Sequence, residues 1–149
     1  MSSRRDFLKS TTGAAVACVA GAALASYLES CTSVKYISAA EKDGKVLVSK
    51  AEFSEQTFVV VKTSASPYPV YLTKITQQNP ETGNENYMAL LMQCTHKQCE
   101  IKPAGTVLYC PCHGSEFSST GKVLKEPASA DLQRFIVTHD DQNIYIHLK

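Results

Sequence analysis

Two short stretches concentrate the residues able to bind a metal: Cys94-Thr95-His96-Lys97-Gln98-Cys99 and Cys110-Pro111-Cys112-His113-Gly114-Ser115. Each offers a thiolate and an imidazole, and a tight turn in each would bring sulfur and ring nitrogen to one point. The segment Lys102-Pro103-Ala104-Gly105 reads as a turn that folds the stretches against each other, so four donors from two loops can hold one compact site. Two Cys and two His also make a common structural zinc set. Zinc modules, however, favour two cysteines close together and two histidines close together, whereas here each loop supplies one of each. Four of the six cysteines fall between positions 94 and 112, and that crowding asks for a local chemical explanation rather than a disulfide scaffold.

The spacing resembles the signature of the Rieske iron-sulfur family, Cys-x-His-x-x-Cys followed by Cys-x-Cys-His-Gly-Ser, at every defining position. The resemblance implies one 2Fe-2S cluster, with Cys94 and Cys110 binding one iron through sulfur and His96 and His113 the other through imidazole. It further implies a disulfide between Cys99 and Cys112 and a place in the high-potential branch of the family. Ser115 matches the serine whose hydroxyl bonds a bridging sulfide. Phe117 stands where many respiratory members carry a tyrosine that donates to a ligand sulfur, which implies a lower potential here. Lys125-Glu126-Pro127-Ala128-Ser129 falls at the family's cluster-covering loop and matches it at Pro127 and Ala128. The resemblance is sharp from Gln93 to about Pro127. The thirteen residues between His96 and Cys110 are fewer than is usual and imply a trimmed hairpin.

Such loops need a rigid frame. Lys45–Val48, Thr57–Val61, Val70–Thr73, Tyr87–Met92, Thr106–Tyr109, Phe135–Val137 and Ile144–Leu148 are short runs rich in β-branched and aromatic residues. Breakers separate them at Pro67 and Pro69, Asn79 to Asn84, Pro103 to Gly105, Gly121 and Asp140 to Asn143. The pattern predicts an all-β fold, an antiparallel β-sandwich with a small cluster-binding subdomain, and no long helix after the first 31 residues. The domain spans residues 45–149, with cluster loops at 94–99 and 110–117, and residues 32–44 read as a polar linker. His139 and His147 lie in strands outside the motifs and read as structural.

The N-terminus carries an address. Ser3-Arg4-Arg5-Asp6-Phe7-Leu8-Lys9 before a weakly apolar run closely resembles a twin-arginine export signal, a route taken by folded proteins, so residues 1–31 are set aside from the fold. Three endings are written there: a peptidase site at Ala23-Leu24-Ala25, a lipoprotein box at Leu28-Glu29-Ser30-Cys31 with lipidation of Cys31, or an uncleaved anchor. Thr11 to Leu28 is 18 residues. At ~1.5 Å per residue that length barely spans a ~30 Å hydrocarbon core. Cys18 reads as a small apolar residue of the run.

With 15 Lys plus Arg against 14 Asp plus Glu, there is no basic footprint for nucleic acid. The expected function is electron transfer as the iron-sulfur subunit of a quinol-oxidising, cytochrome bc-like membrane complex. Its partners would be cytochrome b- or c-type subunits and quinol, with His113 the quinol contact. It would sit in the periplasm or on the outer face of the cytoplasmic membrane and form no complete enzyme alone. Three rivals stand beside it: the small subunit of a periplasmic molybdenum oxidase of the arsenite-oxidising kind, paired with a molybdenum-bearing large subunit; a free-standing Rieske lipoprotein carrier; and a zinc-binding non-redox module.

Overall fold

The computed structural model describes residues 33–75 and 87–148, and in it the apolar runs become strands. In chain order these are β1 Tyr36–Ser38, β2 Glu41–Lys42, β3 Lys45–Ser49, β4 Phe58–Lys62, β5 Val70–Lys74, β6 Tyr87–Leu91, β7 Lys102–Ala104, β8 Val107–Tyr109, β9 Glu116–Ser118, β10 Val123–Lys125, β11 Arg134–His139 and β12 Asn143–His147. A 3-10 turn, Lys50–Phe53, follows β3 and is capped by the Ser49 hydroxyl, which accepts from the Ala51 N–H. The export signal, Cys18, Cys31 and the turn at Asn79 to Asn84 lie outside the described residues.

The strands form two sheets, one of eight strands in the order β1-β4-β5-β6-β11-β12-β3-β2 and one of four in the order β10-β9-β8-β7. Their pairings are antiparallel except that of β1 with β4. Strands β4, β5 and β6 lie between two cores, which explains why they read as nearly continuous apolar runs rather than alternating ones. On one face the register row Val59, Leu72 and Ala89 joins Val46, Val48, Ile144 and Ile146. On the other face the row Val60, Tyr71 and Leu90 joins Leu108, Phe117, Ile101, Cys94 and Cys110. The four-stranded sheet and both cysteine-bearing loops are therefore seated on the back of the larger sheet.

Within residues 33–44, read above as linker, β1 and β2 form strands at the two edges of the large sheet. They are too short and too exposed to show an alternating pattern, and their backbone pairing with β4 and β3 defines them. The turn read at Lys102 to Gly105 is narrower than expected, because Lys102–Ala104 is itself strand β7. Pro103 is accommodated there because β7 is an edge strand. Strands β9 and β10 also went unread, each being three residues long. Both strand histidines have local partners. His139 Nδ1 lies 3.3 Å from Lys50 Nζ with its ring edge-on to Tyr87, and His147 Nε2 lies 2.9 Å from Thr138 Oγ1.

Candidate metal centre

Each motif is the tip of a hairpin, and the two tips are the same turn. In the first loop the Cys94 N–H donates to Cys99 O at 2.8 Å and the Gln98 N–H to Cys94 O at 2.8 Å. In the second, the Cys110 N–H donates to Ser115 O at 2.9 Å and the Gly114 N–H to Cys110 O at 3.0 Å. The fifth residue of each is left-handed, Gln98 with φ 57° and Gly114 with φ 80°. Glycine adopts that conformation freely, whereas Gln98 takes it at a steric cost, so its conformation could not be anticipated from residue type. The first loop is carried by the bridge between Gln93 and Glu100 and the second by the β8–β9 pairing.

This shared geometry brings the two thiols together and the two rings together. Cys94 and Cys110 are free thiols, each 1% exposed, and the rings of His96 and His113 pack edge to face with centroids 4.9 Å apart. Burial pushes the Cys110 thiol above its usual range, and the neighbouring Cys94 adds to this. The backbone N–H groups of Cys112 and His113 oppose the rise by favouring the thiolate. His96 Nδ1 is buried without a hydrogen-bond partner, a cost of order 1–3 kcal/mol unless a ligand takes it up. Two buried thiols, two adjoining imidazoles and an orphaned ring nitrogen fit a cluster bound through two Cys and two His.

Cys99 and Cys112 form a disulfide across the loops, with Cα atoms 6.5 Å apart. The sulfurs of Cys99, Cys110 and Cys112 lie within 4.8 Å of one another. That trio is no ligand set, because two of its members are consumed by the disulfide and a bonded sulfur is not a thiolate.

Around the donors, Ser115 is fully buried and its Oγ accepts from the Ala128 N–H at 3.0 Å, which leaves the hydroxyl hydrogen to point elsewhere. Phe117, also fully buried, stands opposite Leu108 and Val123 in register and brings no donor. A contact not anticipated from sequence links the other loop to the same cover: Thr95 Oγ1 donates to Ala130 O at 2.6 Å. The segment 126–131 is thus fastened to both loops, and Asp131 fixes its end by accepting from the Val123 N–H and Lys122 Nζ. Within the segment Ala128 is buried, while Glu126, Pro127 and Ser129 are exposed. Of the two imidazoles, His113 is exposed and His96 half-buried.

Among known families, the Rieske [2Fe-2S] domain matches residues 37–136. The chain is 27% identical over 165 aligned positions to the cytochrome b6-f complex iron-sulfur subunit 3 of Nostoc sp. PCC 7120, covering 97% of this chain and 84% of that protein. To the cytochrome b6-f complex iron-sulfur subunit of Synechococcus sp. CC9605 it is 36% identical over 55 residues, 36% of this chain and only 31% of that one. Among solved structures, the plasma membrane Rieske protein PetC3 of Synechocystis PCC 6803 is 30% identical. It superposes with a TM-score of 0.50 over 66% of this chain and 93% of its own.

Proposed function

The chain belongs to the Rieske [2Fe-2S] domain family, and from that membership we propose that it serves as the iron-sulfur subunit of a quinol-oxidising, cytochrome bc-like membrane complex. As a homologue of the cytochrome b6-f and bc1 iron-sulfur subunits it is an electron-transfer protein whose domain binds a 2Fe-2S cluster. The observation that carries the ligand assignment is the pair of matching turns. One turn carries the buried Cys94 with His96 and the other the buried Cys110 with His113, the two rings pack together, and His96 Nδ1 lacks a hydrogen-bond partner.

When bound, the cluster supplies one-electron chemistry, in the range of roughly −150 to +300 mV that bis-imidazole ligation allows. The chain's residues do the rest. Cys94 and Cys110 would hold one iron as thiolates, and the neutral rings of His96 and His113 the other, which removes negative charge from the site. Ser115, whose oxygen accepts from the Ala128 N–H, would donate its hydroxyl hydrogen to the cluster. The disulfide keeps the two loops at one separation. His113 is the exposed ring, so its nitrogen not bound to iron is the place where a proton is held or released to a donor such as quinol. Cytochrome b- or c-type subunits are the partners of this reading, and export by the twin-arginine route to the outer face of the cytoplasmic membrane is its setting.

An EPR spectrum of the dithionite-reduced full chain, with iron and zinc counted in the same sample, tests the assignment. The expected result is a signal of average g below about 2 with about two irons per chain; silence with stoichiometric zinc overturns it. A redox titration follows, and a midpoint flat from neutral to alkaline pH counts against proton release at the imidazoles. The sequence Leu28-Glu29-Ser30-Cys31 favours a second reading, a lipid-anchored carrier with no fixed complex. Co-purification from membranes with cytochrome b supports the first reading, and recovery without it the second.

A further inference from the structure

The sulfurs of Cys99, Cys110 and Cys112 lie within 4.8 Å of one another, two joined in a disulfide and the third a free thiol. A thiolate that attacks one sulfur of a disulfide expels the other, and fixed proximity turns that encounter into an intramolecular step. The two bonded sulfurs differ as leaving groups. Cys112 is exposed, where water stabilises a departing thiolate, whereas Cys99 is half-buried. Attack on Cys99 also avoids joining Cys110 to Cys112, which are separated by the single residue Pro111.

We infer that the metal centre doubles as a thiol–disulfide exchange site, in which Cys110, whenever iron does not hold its sulfur, attacks Cys99 and expels Cys112. The Cys110 thiol gives its proton to solvent, the Cys110–Cys99 bond forms, the Cys99–Cys112 bond breaks, and the departing Cys112 sulfur takes up a proton. One disulfide and one thiol stand on each side of the step, so no external oxidant is required. The product lacks the Cys110 thiolate, and the site cannot take up iron again until the Cys112 thiolate attacks Cys99 in the reverse exchange or a reductant opens the new bond. Bound iron thereby locks the native pairing, and loss of the cluster lets the two pairings exchange. Burial of the Cys110 thiol slows the exchange, since the thiolate is the attacking form.

The inference rests on Cys110 being an iron ligand, and two variants of the full chain separate the claims. Cys94→Ser and Cys110→Ser each remove a thiol assigned to iron, but Cys94→Ser alone keeps the attacker. Both are incubated without oxygen at about pH 8.5, where free thiols are substantially ionised, then labelled with iodoacetamide and mapped as peptides without reduction. Cys94→Ser is expected to yield Cys99–Cys110 peptides and about tenfold more label on Cys112 than Cys110→Ser, which keeps the native pair. Equally low labelling of Cys112 in the two overturns the exchange. Should either variant fold poorly, the wild-type chain stripped of iron by a chelator under the same conditions decides the matter: a shift to Cys99–Cys110 supports the exchange and an intact Cys99–Cys112 bond overturns it. Iron counted before labelling tests the ligand role by itself, since iron retained in Cys110→Ser overturns that role whatever the disulfide does.

Discussion

The backbone N–H of Ala128 donates to the fully buried hydroxyl of Ser115 at 3.0 Å, joining the segment 126–131 to the loop that carries Cys110 and His113. Ser115→Ala removes the acceptor and leaves a buried N–H unpaired, which costs about 1–3 kcal/mol of stability. It also removes the hydroxyl hydrogen, which under the proposed function bonds the cluster. If that hydrogen bond favours the reduced state by about 1.4 kcal/mol, the midpoint falls by about 59 mV. Denaturant unfolding and a redox titration of the loaded protein read the two effects; an unchanged midpoint would mean that the hydroxyl serves only the cover.

Thr95 makes the matching attachment from the first loop, donating to Ala130 O at 2.6 Å across 35 residues. Thr95→Val keeps the shape and loses the bond, and the expected cost is about 0.5–1.5 kcal/mol. Because the bond fastens the covering segment over the loop bearing His96, release of iron to a chelator should quicken in this variant, and Thr95→Ser should restore the wild-type rate. Equal rates in all three would show that the attachment does not protect the site.

The frame was legible wherever burial leaves a period or an apolar run. Strands β4 to β6 announced themselves because both faces are buried, and β12 because Ile144 and Ile146 alternate with less buried neighbours. Strands β1, β2, β9 and β10 were silent, since two or three residues carry no period and their partners define them. The two motifs were legible from residue type and spacing, and the Cys99–Cys112 pairing from the resemblance they carry. Their support was not, because the Thr95–Ala130 and Ser115–Ala128 bonds join segments far apart in sequence through a hydroxyl and a backbone group that look ordinary in isolation. The left-handed Gln98 was hidden for a related reason: its conformation is imposed by the turn it shares with Gly114.

Away from the site, Asp140 closes the β11–β12 hairpin. The Tyr145 hydroxyl, then the Gln142 and Asn143 N–H groups, all donate to its carboxylate and lower its pKa to about 2. A carboxyl depressed in the folded state contributes stability above its unfolded pKa and loses that contribution as pH falls through the folded value. Asp140→Asn should therefore be less stable than wild type at neutral pH. The gap should narrow between about pH 4, the ordinary carboxyl range, and about pH 2. Denaturant midpoints of both proteins across that window check the sign, and a gap that widens on acidification would be inconsistent with it.

Phe117 is fully buried in the core that holds Cys94 and Cys110, between Leu108 and Val123 on the flanking strands. Its ring is part of the core in which both thiols are buried and brings no hydrogen-bond donor. Phe117→Tyr adds one hydroxyl to that dry environment, and its consequences depend on whether the new group finds an acceptor. With a ligand sulfur as acceptor, the bond strengthens as the site gains negative charge on reduction, so the midpoint should rise and little stability should be lost. Without one, the buried hydroxyl costs about 1–3 kcal/mol and the midpoint stays in place. The expected outcome is the first, because Phe117, Cys94 and Cys110 belong to one packed core. Redox titration and denaturant unfolding of the same preparation decide it: a higher midpoint at nearly constant stability supports the sulfur contact, whereas an unchanged or lower midpoint shows that Phe117 acts on the site by packing alone.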